Sequence, residues 1–103
     1  MEKIRELSDH IDEEISDAKE YAMLALRYKD DDADLARVYY GLSLEEMEHM
    51  AKLHKAAETI IKADREEKGE PPAEMMKVYQ ILHEKQIRHA AEVRNMQAMF
   101  RDN

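Results

Sequence analysis

Three residues of this chain combine the side-chain types and spacing that hold a metal cation: Glu14, Glu46 and His49. Glu46 and His49 stand three apart, so on a helix both side chains share one face. Each of the three falls within a run of apolar residues recurring at steps of three and four. The first run reads Ile4, Leu7, Ile11, Glu14, Ala18, Tyr21, Ala25, Tyr28, and the second Leu35, Tyr39, Leu42, Glu46, His49, Leu53, Ala56, Ile60. Such seams normally exclude carboxylates, because a buried charge is costly unless something pairs with it. Two carboxylates and an imidazole converging on a divalent cation satisfy that requirement. Oxygen and nitrogen ligands suit iron, manganese or zinc better than soft metals. The Glu-x-x-His spacing discriminates little by itself: with 24 acidic residues and 5 His in 103, about one such pair arises by chance. Its place in the seam, level with a seam Glu on another element, is the stronger signal. The same residues without metal would form a polar layer that fixes helix register.

The elements that position these residues follow from punctuation. Asp30-Asp31-Asp32 forms one break and Lys68-Gly69-Glu70-Pro71-Pro72 the other. The periodicity predicts helices over about 2–29, 33–67 and 72–101. Asp31 or Asp32 suits the N-cap of the second helix, Gly69 its C-cap, and Pro71-Pro72 the start of the third. Short connections make sequential helices antiparallel, so the expected fold is all-α, an up-down-up three-helix bundle forming one domain over 1–103. Folding the first hairpin near residue 31 or 32 places Glu14 beside the Glu46–His49 turn. The third seam reads Met75, Tyr79, Leu82, Gln86, His89, Val93, Met96, Phe100. Counting back from the second turn brings His89 near the level of His49, which makes it a further candidate ligand; His83 lies nearer Ala56. Three helices make a thin bundle, and a second copy would cover the remaining apolar surface.

Leu44-Glu45-Glu46-Met47-Glu48-His49-Met50-Ala51-Lys52-Leu53 resembles the second-helix motif of the ferritin-like superfamily, E-E-x-E-H-x-x-x-L. Glu14 with Tyr21 seven residues later resembles the first-helix motif of rubrerythrins and encapsulated ferritins, and the Glu14-to-Glu46 interval is also similar. The resemblance covers the first two helices. It implies that Glu14 is the first-helix ligand, Glu46 the bridging carboxylate and His49 the terminal ligand of a di-iron centre, with Tyr21 close by. It also implies ferroxidase or peroxide-reducing activity, the work of an oxidoreductase. Full-length members complete the centre from two further helices. Here Gln86-Ile87-Arg88-His89 stands where another Glu-x-x-His would be expected, and Gln does not replace a bridging carboxylate. The expectation is therefore a site completed at the interface of a homodimer, giving a four-helix type of bundle, or a single-metal site completed by His89.

Composition sets the outer bounds. Charged residues supply 39% of the chain, Gly and Pro only 2 each, which favours helix over sandwiches and barrels. A net charge of -8 disfavours nucleic acid and anionic membrane surfaces as partners. The absence of Cys excludes thiolate-ligated metal and Cys nucleophiles. No apolar leader opens the sequence and no run spans a bilayer, so a cytoplasmic protein is expected. Asp30-Asp31-Asp32-Ala33-Asp34 begins like a calcium loop, but Leu35 stands where the turn needs Gly, and Gly41 where the loop needs Glu; it reads as a capped turn. His10 and His54 read as surface residues and His83 as a boundary residue. The competing function is a metal-free structural or adaptor bundle, such as an accessory protein of a phage or larger assembly.

Overall fold

A computed structural model describes residues 2–102 and contains three helices: α1 (Glu2–Tyr28), α2 (Ala33–Lys68) and α3 (Ala73–Asp102). Each boundary lies within one residue of the periodicity estimate, because the stop signals are local chemistry. Asp32 is the N-cap of α2, its carboxylate accepting the Leu35 N–H at 3.1 Å. Gly69 ends α2 at φ 79° and ψ -170°, backbone angles open essentially to Gly alone, and its N–H bonds the Arg65 carbonyl. The Pro72 carbonyl accepts the Met76 N–H and opens α3.

The helices run up, down, up as a rod of 55 × 19 × 19 Å. Antiparallel pairing of α2 and α3 shows in Tyr40 against Phe100, Ser43 against Gln97 and His54 against His83. The parallel course of α1 and α3 shows in Gln86 bonding to Ser8 and Asp12, Lys19 to Glu92, and Lys29 to the Phe100 carbonyl.

The buried core is narrow: Ile11, Ile15 and Ala18 of α1 pack with Met50 of α2 and with Ala90 and Val93 of α3. At its heart one polar joint ties all three helices. The buried Ser43 hydroxyl donates to the Ala18 carbonyl at 2.7 Å and accepts from the buried Gln97 amide at 2.8 Å. The inward line of α2 is rotated by about one residue from the seam read off the sequence, and that of α3 is displaced the same way except at Val93, which stays buried. On α2 the buried positions are Ala36, Ser43 and Met50, with Ala56 exposed; on α3 they are Ala90, Val93 and Gln97, with Met75, Leu82 and His89 exposed. The physical reason is that α2 and α3 both pack mainly on α1 and touch one another little, so each buried line is set by the face that meets α1 and need not follow the most apolar stripe. Between residues 51 and 89 no described residue is buried.

Candidate metal centre

Glu14 projects from α1 toward α2 two turns before Tyr21, and Glu46 meets it from α2 with His49 one turn further on. The three present ligand atoms that all lie within 4.8 Å of one another. His49 Nδ1 is 3.5 Å from Glu14 Oε2 and 3.7 Å from Glu46 Oε2. The carboxylates are largely withdrawn, at 23% and 19% side-chain exposure, whereas the imidazole is 52% exposed and forms the open edge of the group.

The electrostatics of this pocket are unbalanced. Glu14 Oε2 is sealed from solvent and has no hydrogen-bond donor among the described residues. A buried acceptor left in that state costs about 1–3 kcal/mol, more when charged. Glu46 responds by holding a proton. Its pKa is pushed up to about 7, first by the hydrogen bond that its protonated form makes to Glu14, then by burial and by the Glu14 charge. Asp17 adds to the rise and His49 opposes it. Two carboxylates thus share a site that holds one negative charge comfortably and two only against a cation. An oxygen-rich group with one imidazole fits iron, manganese or zinc, and the orphaned Glu14 oxygen is the atom such an ion would satisfy.

Of the residues singled out in the sequence, Glu14, Glu46 and His49 converge. His89 and Gln86 stand elsewhere. Positions 14, 21 and 28 of α1 face α2, whereas Ser8, Asp12 and Lys19 meet α3. His89 therefore lies across α1 from the acidic group, exposed in a groove with Asp12, Ser16, Lys19 and Glu92. Gln86 is a strut, its amide donating to the Ser8 carbonyl and hydroxyl and to Asp12 at 3.1–3.3 Å. Tyr21 is half-buried and stacks on Tyr39 at 6.1 Å between centroids, and Tyr39 stacks on Tyr28 at the same spacing. Sequence reasoning passed over Asp17, whose position three residues after Glu14 signals its electrostatic reach into the site. It also passed over the contact between His54 and His83, which stack at 5.2 Å across α2 and α3.

Comparison of the chain with family models, with curated proteins and with solved structures finds no match. Among the described residues no helix is long and apolar enough to cross a membrane.

Proposed function

We propose that this chain is a ferritin-like, iron-binding helical bundle in which Glu14, Glu46 and His49 hold the metal on the face shared by α1 and α2. The observation that carries the reading is the convergence of Glu14, Glu46 and His49, with Glu14 Oε2 buried and, once Glu46 is ionised, without a donor among the described residues. Manganese and zinc suit the same ligands. Three protein ligands leave coordination positions open at the exposed His49 edge. A ferrous ion held by Glu14, Glu46 and His49 would supply one-electron reducing chemistry toward dioxygen or peroxide, of the ferroxidase type and suited to the cytoplasm. The protein contributes placement: Glu14 and Glu46 stabilise the higher charge of the oxidised ion, and His49 closes the group without sealing it. Two copies meeting at this face would pool four carboxylates and two imidazoles, enough for two irons within a homodimer.

Anaerobic titration calorimetry with ferrous ion at neutral pH tests the proposal. Wild type should take up iron stoichiometrically and consume oxygen when air is admitted, while Glu46→Gln and His49→Ala should lose both. A wild type that stays empty at millimolar ferrous ion refutes metal binding and leaves the metal-free polar layer. Sedimentation of the loaded protein separates the forms: a strict monomer carrying two irons excludes the shared centre.

A further inference from the structure

At the end of the rod farthest from the α1–α2 turn, α2 and α3 extend past the start of α1 as a short two-helix tip in which no described residue is buried. Gln86 stands level with Ser8, so the part of α3 up to Tyr79 runs past the start of α1. From this tip to the level of the first turn of α1, α3 exposes a cluster of large apolar side chains: Met75 at 42%, Val78 at 53%, Ile81 at 64% and Leu82 at 43%. Four such side chains leave roughly 400 Å² of apolar surface, at about 100 Å² each. That is about half of the ~800 Å² that each partner buries in a standard interface, close to the apolar share such interfaces carry.

The charges beside this cluster indicate what covers it. Glu74, Lys77, Ile81, Glu84 and Arg88 recur at steps of three and four, share one flank of α3, and are all exposed. Read about Ile81, the flank is complementary to its own reverse. An antiparallel copy centred on Ile81 sets Glu74 opposite the partner's Arg88 and Lys77 beside the partner's Glu84, with each pair repeated by symmetry. Parallel alignment would instead set like charges together, at a substantial cost. Over residues 60–82 the chain carries four Lys or Arg and five Asp or Glu, a net charge of -1 against -8 for the whole. Two copies therefore repel least at this end.

We propose that α3 is a self-association surface, on which a second copy of this chain packs antiparallel with a two-fold axis passing beside Ile81. This interface uses neither Glu14, Glu46 nor His49, needs no metal, and stands whether or not the iron-binding reading holds.

The test is sedimentation equilibrium of the purified chain in EDTA. Wild type should show a reversible dimer. Ile81→Glu should weaken it at least about 100-fold, as expected for a charge forced into the centre of an interface. Glu74→Lys should weaken it about 10-fold, and Glu74→Lys combined with Arg88→Glu should restore it to within about 3-fold, because the pair is only exchanged. Glu46→Gln should remain dimeric. Because the chain has no Cys, Ile81→Cys should form a disulfide-linked dimer on mild oxidation, while Val38→Cys, equally exposed on α2, should not. Unchanged far-ultraviolet circular dichroism confirms that each variant is folded, and the single-Cys pair reports the contact independently of any loss of stability. A wild type that is monomeric at all concentrations overturns the proposal. So does a dimer that survives Ile81→Glu, or a charge exchange that fails to rescue.

Discussion

Replacing Glu46 by Gln should stabilise the metal-free protein above neutral pH while abolishing its metal affinity. Glu46 has an ordinary pKa of 4.5 and is pushed up to about 7 in the folded chain. The folded state thus holds this proton more tightly than the unfolded state. The stabilisation is fully present below pH 4.5, declines as pH rises toward 7, and is gone above it. At 1.36 kcal/mol per unit, a shift of this size corresponds to about 3 kcal/mol. For a chain near this length that is a difference in melting temperature of about 10 °C or more. A Gln at 46 keeps a donor for Glu14 at every pH and carries no charge. The assay is urea denaturation followed by helical circular dichroism, in EDTA, at intervals from pH 4.5 to 8.5. Wild type should lose stability relative to Glu46→Gln across that interval, and the gap should stop widening above about pH 8. Manganous ion added at pH 8 should recover stability in wild type and not in the variant. Parallel pH profiles for the two proteins, or a variant less stable than wild type at pH 8, would refute the claim that these carboxylates oppose one another.

Other outcomes follow from single contacts. Ser43→Ala should cost about 1–3 kcal/mol in urea denaturation, because it leaves the buried Gln97 amide without its acceptor. Val93→Ala, at a fully buried position, should cost about 2 kcal/mol by the same assay. Gly69→Ala should cost about 1–3 kcal/mol although no atom crowds the site, since the cost lies in the backbone angles. His89→Ala should leave ferrous-ion affinity unchanged in calorimetry, while His49→Ala should lower it at least about 100-fold, which distinguishes the α1–α2 group from any site using α3.

Helix number, boundaries and direction were legible in the chain because they depend on local chemistry: an Asp cap, a Gly at positive φ, a Pro pair, and steps of three and four. The level of Glu14 against Glu46 and His49 was legible too, since one short turn leaves little freedom in how a hairpin folds back. Rotation of α3 was not. Of the seam read for it, Gln86, Val93 and Phe100 meet the other helices, whereas Met75, Leu82 and His89 are exposed and Ala90 and Gln97, each one residue on from a seam position, are buried instead. Polar partners decided it, with Gln86 reaching Ser8 and Gln97 reaching Ser43. Those pairings span more than fifty residues, and periodicity carries no trace of them. The shift of one residue that they impose sends His89 to the far side of α1 and Met75 and Leu82 to the surface. The orphaned Glu14 oxygen was equally invisible in one dimension, because it depends on what fails to approach.

Met50 and Ala90, the last buried side chains of α2 and α3 before their shared turn, divide the rod into unequal mechanical parts, with Ile4 of α1 the one described residue buried beyond them. Beyond them the α2–α3 hairpin is held by surface contacts such as the His54–His83 stack and the reach of Arg65 to Met76, so its amides should exchange hydrogen through small local openings, while those around Ala18 and Val93 wait for global unfolding. Glu14, Glu46 and His49 belong to the slow half. The tip can therefore breathe, splay or seek a companion without loosening the acidic group, and the molecule keeps a stiff socket and an adaptable end within one hundred residues.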